Sequence, residues 1–367
     1  MNLSFTPTLD PAETRQRLDR LLVSDPLQSP QLTRRIERLA ADFRSYADCY
    51  PLPLWAPGLE LTGEMRGLTE ALFPMSRVRA VFTFLLASGC RFPPLLEGTY
   101  LGSSASWLDL LHRFRPQICH ADPATTLREL AGDPEKRMRF LFALLLPHHF
   151  GGTFDRYPGQ SQWLAEWLRG SVSRFGGRLR TLDSACGSGE GAYGLAELVG
   201  EAGFKGKDCV VHGSTLEPIE LFAAAHAYFP HDPERAAEYR NRVAPLLTGE
   251  DAVTMEFYLD KVGTVGGAGN YQLILCNGLL GGPLLHDPAE LERAIGALAA
   301  RLAPGGVLLA ADRFHAGWRL RVPADKLRSL MQEHGLVPLE IGEGVGGRKA
   351  GDIVEGLGAI EARGYRG

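Results

Sequence analysis

From Asp10 to about Leu146, apolar residues recur at three- and four-residue spacing, broken by proline or glycine near Pro26, Pro51 to Pro57, Pro93-Pro94 and Asp133-Pro134. This period predicts about five to seven helices and no strand. The clearest are Ala12 to Val23, Leu32 to Tyr46, Ser76 to Ser88 and Pro134 to Leu146, the last with Asp133 as N-cap and Pro134 at the first helical position. After a linker-like stretch, Pro147 to Pro158, and a helix from Ser161 to Arg169, the pattern changes. Short apolar runs (Arg180 to Asp183, Asp208 to Gly213, Val253 to Leu259, Tyr271 to Cys276, Gly306 to Ala311) now alternate with helical segments Ala192 to Glu201, Pro218 to Tyr228, Pro288 to Leu302 and Ala324 to His334. Such alternation predicts an α/β fold, a doubly wound, Rossmann-like sheet with helices on both faces, preceded by an all-helical domain. The expected boundaries are 1–147 for the helical domain, read as a cap or substrate-recognition domain, and 148–367 for the sheet domain. Pro304-Gly305-Gly306 reads as a tight turn into the fifth strand, Leu336 to Ile341 with Ala359 to Ala362 as a closing pair, and Gly342 to Gly351 as a mobile loop.

At 367 residues, 45% hydrophobic and 22% charged, the chain has the make-up of a soluble globular protein with room for two domains. A formal charge of -4 and a pI near 6.2 give no electrostatic footprint for nucleic acid, so no polynucleotide partner is expected. The six cysteines contain no Cys-x-x-Cys pair and read as reduced side chains of a cytoplasmic protein. The longest apolar run, Phe140 to Pro147, is too short for a bilayer, and no basic segment with an apolar core opens the chain, so no membrane is expected. No metal is expected either: His148, His149 and Asp287 form no recognised ligand spacing.

The chemistry concentrates at the junction of the first strand with its helix, Asp183-Ser-Ala-Cys-Gly-Ser-Gly-Glu-Gly191. Asp183 closes the strand, Gly187, Gly189 and Gly191 let the backbone approach a ligand, and Ala185, Cys186 and Glu190 line the same turn. The following helix offers unpaired N–H groups at its start. Glycines at every second position, after an acid on the strand, differ from the dinucleotide fingerprint, and the loop reads as a nucleoside-cofactor site. In a doubly wound sheet ligands bind beyond the carboxyl ends of the strands, which singles out three further places. Glu217-Pro218 follows the second strand, where a carboxylate accepts from a ribose diol or else favours the start of the next helix. Asp260, with Asp251 as rival, follows the third strand and could accept from an adenine amino group or be a solvated turn acid. Asn277 follows the fourth.

The loop resembles the first motif of class I S-adenosylmethionine (SAM) methyltransferases, in which the glycines admit the methionine half and adenosine and the strand-end acid lies near the ammonium. The resemblance implies SAM as cofactor, with the transferred methyl and the acceptor meeting near Cys276-Asn277. Over about His148 to Ala311 the chain is similar to the chemotaxis receptor (CheR-type) methyltransferases, whose first motif reads Cys-Ser-x-Gly-Glu-Glu-Pro-Tyr-Ser-Leu-Ala. Here Cys186, Gly189-Glu190, Tyr193, Leu195 and Ala196 match it, as do Tyr271 to Asn277, Asp287-Pro288 and Leu302 to Gly306 in later blocks. Thr153-Phe-Asp-Arg156 echoes the family's Thr-x-Phe-Phe-Arg, which makes Arg156 a candidate beside cofactor and acceptor. Gly191 replaces the family's second glutamate, Ala311-Asp312-Arg313 stands where His-Ser-Glu is expected, and a short charged helical passage, His231 to Glu250, replaces the receptor-gripping β-subdomain.

These matches imply a SAM-dependent methyltransferase whose acceptor, small molecule or protein, is undetermined. For a hydroxyl or amine acceptor a base would assist, and His149 or His148, with Tyr157, is placed for it. A non-catalytic SAM-binding scaffold for a partner protein is the alternative, and a nicotinamide oxidoreductase on the same sheet ranks below both.

Overall fold

The computed structural model describes residues 3–49, 60–115, 117–147, 153–249, 252–264, 270–312 and 316–351. The chain divides into two compact units. One comprises Met1–Gly152, Gly187–Gly189 and Thr215–Thr248; the other comprises Thr153–Cys186, Glu190–Ser214 and Gly249–Gly367. The helical amino-terminal segment therefore shares its unit with two later pieces of chain.

The first unit begins with a two-residue strand, β1 (Ser4–Phe5), and is otherwise helical among the described residues. The helix Pro30–Cys49 shows why: Leu32, Ile36, Leu39, Phe43 and Tyr46 fall on one stripe and are all buried. Aspartates start several helices. Asp133 takes the N–H groups of Glu135 and Lys136 at 2.9 and 3.0 Å, with Pro134 behind it, as the sequence predicts. The guanidinium of buried Arg137 donates to the carbonyls of Leu130, Val23 and Asp25, so a charge inside this unit is satisfied by backbone oxygens. The helix Pro218–His226 and the turn after it pack into the same unit through Phe222 and Tyr228, whose rings meet Phe142 at 6.2 and 5.3 Å, and the helix Pro233–Leu247 is tied to it by Arg235, which donates to Leu146 O at 3.4 Å.

The second unit holds the sheet. Its strands are β2 (Leu179–Ser184), β3 (Cys209–Thr215), β4 (Thr254–Leu259), β5 (Tyr271–Leu275), β6 (Leu302–Ala310), β7 (Leu336–Leu339) and β8 (Val345–Lys349), in the spatial order β4-β3-β2-β5-β6-β8-β7. β2 pairs in parallel with β3 and β5, and β5 with β6, whereas β8 is antiparallel to β6 and β7. This is the doubly wound, Rossmann-like α/β sheet expected. Chain order reverses at β2, so the switch point, where such sheets leave room for a ligand, lies at its carboxyl end. Leu182, Ile274 and Leu308 on three parallel strands are fully buried under Leu291, Ile295 and Leu298 of helix Pro288–Arg301.

Two expectations need correction. Gly342 to Gly351 is not a loop: β8 lies within it and is the strand that closes the sheet with β7, while Ala359 to Ala362 falls outside the described residues. Glycine suits that strand because a Cβ on Gly346 or Gly347 would stand 2.8 Å from Leu309 Cδ2 or Leu336 Cβ. Pro304-Gly305-Gly306 is not the turn before β6 but part of the strand, where the register with β5 slips between Tyr271 and Leu273.

Candidate functional site

In the second unit the backbone turns sharply at the end of β2. Ala185 takes a φ of 63°, a region that non-glycine residues rarely occupy, and the next amide, of Cys186, donates to Ser214 O at 2.8 Å. This bend delivers the chain to the helix Glu190–Glu201. Asp183 stands under it, 4% exposed, and accepts a hydrogen bond from the Ala192 backbone, so it caps that helix from the strand. Its Oδ2 accepts no hydrogen bond among the described residues. Gly191 has no room for a side chain because a Cβ there would sit 2.5 Å from this oxygen. Burial pushes the Asp183 carboxyl up to about 7, against the pull of the Arg156 charge; the Glu190 carboxylate, itself buried, pushes in the same direction as burial. Thus Asp183, Ala185, Cys186, Glu190 and Arg156 gather at one strand end. Tyr157, next to Arg156 in sequence, is buried, with the Arg156 guanidinium 5.5 Å from its ring centre.

The family-like Tyr193, Leu195 and Ala196 lie in the core: Tyr193 packs on Phe257 at 5.5 Å. Asn277 is engaged by its surroundings. Its Oδ1 takes the Ala311 N–H at 2.8 Å, and its amide is paired with that of Gln160 at 2.8 and 3.2 Å, which ties the ends of β5 and β6 to the helix Pro158–Ser171. Asp260 is committed elsewhere. It is ion-paired with Arg301, whose guanidinium also reaches the Tyr258 hydroxyl at 2.8 Å, and Tyr258 in turn meets Tyr271, the residue that opens β5. That places Asp260 by the amino ends of β5 and β6, not at the carboxyl edge where an adenine contact was expected. The chain around Asp251, His148 and His149 lies outside the described residues.

In the first unit Gly187-Ser188-Gly189 is held from the helix Pro233–Leu247. Tyr239 donates its hydroxyl to Ser188 O, and Arg235 donates to Ser188 Oγ at 2.9 Å while its guanidinium lies 4.3 Å from the centre of the Phe229 ring. The two glycines serve different ends. A Cβ at Gly189 would fall 2.8 Å from Ala224 Cβ and 2.9 Å from Tyr239 Oη, so close packing demands glycine there. At Gly187, with φ of 55°, nothing stands within 4 Å, and the space beside it is open to a ligand. Glu217 is the N-cap of the helix Pro218–His226. Its Oε1 accepts from Ile219 N–H at 3.3 Å and its Oε2 from Leu95 N–H at 3.0 Å. Burial pushes this carboxyl up to about 7, partly offset by those two hydrogen bonds, with Glu220 adding to the rise. Gln160, Arg235 and Tyr239 were not found by sequence reading, since each acts through a partner distant in the chain.

No protein-family model and no curated protein matches the chain. Among solved structures it is similar to the N-methyltransferase NodS from Bradyrhizobium japonicum WM9 in complex with S-adenosyl-l-homocysteine, at 18% identity and a TM-score of 0.36 over 56% of this chain and 94% of that one. Magnesium protoporphyrin IX methyltransferase (ChlM) from Synechocystis PCC 6803 with bound SAM aligns at 16% identity and a TM-score of 0.33, over 58% of this chain and 91% of that one. The sugar N-methyltransferase KedS8 from Streptoalloteichus sp ATCC 53650 aligns at 16% and 0.34, over 55% and 90%. At such values the ground for the fold is the strand order, not these likenesses.

Proposed function

We propose that the protein is a SAM-dependent methyltransferase whose cofactor binds at the carboxyl end of β2. The observation that carries this reading is Asp183 Oδ2, a buried carboxylate oxygen that accepts no hydrogen bond among the described residues, under a bend held in the left-handed region at Ala185. A buried acceptor without a donor is costly. The ammonium of an amino-acid group supplies both the donor and the charge that this oxygen lacks, and the chemistry of the site thus fits the methionine end of SAM. Ala185, Cys186, Gly187, Gly189 and Glu190 would form the rest of that end, with Glu217 and Pro218 at the ribose. Asn277 would hold the strand ends in place. When bound, the cofactor supplies an electrophilic methyl carbon whose bond to sulfur breaks as the acceptor's lone pair bonds to it, leaving a thioether.

For catalysis the chain's own groups orient the acceptor and exclude water. Arg156 and Tyr157 are proposed for this, with His149 as a base from the adjoining linker. The CheR-type resemblance is kept for the cofactor half alone. Calorimetric titration of the purified protein with SAM and with S-adenosylhomocysteine tests the proposal. Micromolar binding to wild type, lost in Asp183→Asn, is expected. Absence of binding by either ligand to folded wild-type protein overturns it.

A further inference from the structure

A cavity of about 380 Å³ opens in the second unit at the carboxyl edge of the parallel strands, within the range of about 300–1,000 Å³ common for small-molecule sites. Its position follows from the topology. Cys276 and Ala311 lie just past the ends of β5 and β6, and Val345 opens β8, which runs antiparallel and so starts at the same edge. Cys276 joins the cavity to the proposed cofactor acid. Asp183 stands in register with Leu275, one residue before it, and burial, with the Asp183 charge adding to it, pushes the Cys276 thiol up. A ligand in the cavity would therefore sit beside the place proposed for the methionine end of SAM.

The walls are largely carbon. Leu280, Ala310, Val322, Leu327 and Val345 are all buried and form an apolar body. One side is closed where Gly281, at φ of 78°, lets Val322 approach: a Cβ there would be 2.9 Å from Val322 Cγ1. The Cys276 thiol, kept protonated, adds a soft surface without charge. Of the charged residues on the lining, Asp312 and Glu343 already have partners within the chain, and Arg319 donates to the Asp312 backbone carbonyl. An ionic ligand would give up its water against such walls at a cost that a neutral one escapes.

The apolar surface continues outside the cavity. Leu284 lies in the turn 281–285, which the Gly281 N–H closes on Leu285 O at 2.9 Å, and Leu320 lies two residues before Val322. These two segments meet at Gly281 and Val322, and their leucines are 75% and 89% exposed. Large apolar side chains left in water on adjoining segments, at the border of an apolar cavity, suit a ligand whose hydrocarbon part extends beyond it.

We infer that this cavity holds the methyl acceptor and that the acceptor is a neutral lipophilic molecule, with a ring-sized body inside and an alkyl chain that passes out along Leu284 and Leu320. The word acceptor rests on the methyltransferase reading; the binding does not. A glutamate side chain is the opposite kind of ligand, so the cavity separates the protein from enzymes that esterify receptor carboxylates.

The test is calorimetric binding of 4-hexylphenol to the full-length chain without cofactor. Its congeners are 4-ethylphenol, which lacks the chain, and 4-hexylbenzoate and 4-hexylbenzylammonium, which carry the chain with a charge. 4-Hexylphenol is expected to bind at least tenfold more tightly than each of the three. Changing both exposed leucines, Leu284→Ser with Leu320→Ser, should remove most of its advantage over 4-ethylphenol and leave 4-ethylphenol binding unchanged. Ala324→Trp fills the cavity from an exposed position at the start of the helix Ala324–Glu333, so it should abolish binding of both phenols with an unchanged melting temperature. No binding of 4-hexylphenol, equal or tighter binding of either charged congener, or binding that survives Ala324→Trp each overturns the pocket. A chain-length advantage that survives loss of both leucines overturns the path assigned to the alkyl part. S-Adenosylhomocysteine titrated into the same samples reports on the other reading: its failure to bind beside intact phenol binding removes the methyltransferase and leaves the lipophilic site.

Discussion

Leu95 gives its backbone N–H to Glu217 Oε2 at 3.0 Å, across 122 positions of sequence, while the other oxygen of that carboxylate caps the helix that Glu217 begins. Both oxygens thus face N–H donors. Glu217→Gln places an amide donor against one of them and should cost about 1–3 kcal/mol of stability. Leu95→Pro, which follows Pro94, removes one donor and leaves the cap, so it should cost less. If a ribose diol uses the remaining lone pairs, Glu217→Gln weakens S-adenosylhomocysteine binding about tenfold or more and Leu95→Pro does not. Chemical denaturation and calorimetry on both variants separate the structural contribution from the ligand contribution.

The alternating glycines make a second prediction. Gly187→Ala meets no neighbour, so its folding cost is limited to the left-handed backbone, about 1 kcal/mol, while a methyl group intrudes on the ligand's space. Gly189→Ala combines the same backbone cost at φ of 94° with overlap against Ala224 and Tyr239. Melting temperatures should rank wild type, then Gly187→Ala, then Gly189→Ala. Cofactor affinity in the folded Gly187 variant should fall at least tenfold, and wild-type affinity there would remove the ligand from this loop.

The loop was legible in sequence because an acid and spaced glycines mark a bend that few other residues can make. What each glycine is for was not. Gly189 answers to Ala224 and Tyr239, and Gly191 to Asp183, through contacts that no local pattern announces. The same limit explains Asp260, whose place after a strand suggested a ligand contact until its partner Arg301 came from 41 residues away. It explains β8 too: composition reads Gly342 to Gly351 as loop, but pairing with β6 and β7 supplies the backbone hydrogen bonds, and the tight fit against Leu309 and Leu336 requires glycine. Strand and helix placement, by contrast, came from period alone and held to within a few residues for β2 to β5.

Asp183 gives the protein without cofactor a pH dependence of defined sign. Burial raises its carboxyl from the ordinary 3.8 to about 7 in the folded state. Between those values the folded protein keeps a proton that the unfolded chain has released, so this group's contribution to stability falls as pH rises through the window, by up to about 1.4 kcal/mol per pH unit. Glu217, raised from 4.5 to about 7, acts in the same direction. Asp183→Asn should flatten the decline and be more stable than wild type at pH 8, while binding no SAM. Urea titrations from pH 5 to 8 on the two proteins check this, and parallel slopes would show that Asp183 is not the source.

Breaking the Asp260–Arg301 pair should affect folding alone. Their side chains are 15% and 11% exposed, and removing one partner leaves a largely buried charge uncompensated. Asp260→Ala is expected to cost about 3 kcal/mol or more. Because Asp260 lies by the amino ends of β5 and β6, cofactor affinity in the surviving folded fraction should stay within about twofold of wild type. A tenfold loss of affinity without loss of stability would instead return Asp260 to the adenine.

Removing residues before His148 is the harshest test of how the first unit is built. Its later pieces depend on the earlier ones: Ala225 O takes the Thr8 N–H at 3.0 Å, His226 meets Thr8 O at 3.1 Å, Leu95 holds Glu217, and both His231 and Arg235 reach Leu146 O. Phe222 and Tyr228 would also lose Phe142 and expose a large apolar face. The helix Pro233–Leu247, which holds Ser188 through Arg235 and Tyr239, would be left with its anchoring groups at Leu146 missing. A chain that starts at His148 is therefore expected to lose cofactor binding together with methyl transfer, and to aggregate or melt well below the full-length protein. The boundary expected at residue 148 would instead leave a sheet domain that folds and binds SAM by itself. Circular dichroism and S-adenosylhomocysteine titration of the truncated chain decide between these, and a soluble fragment with wild-type affinity would show that the glycine loop needs none of the amino-terminal helices.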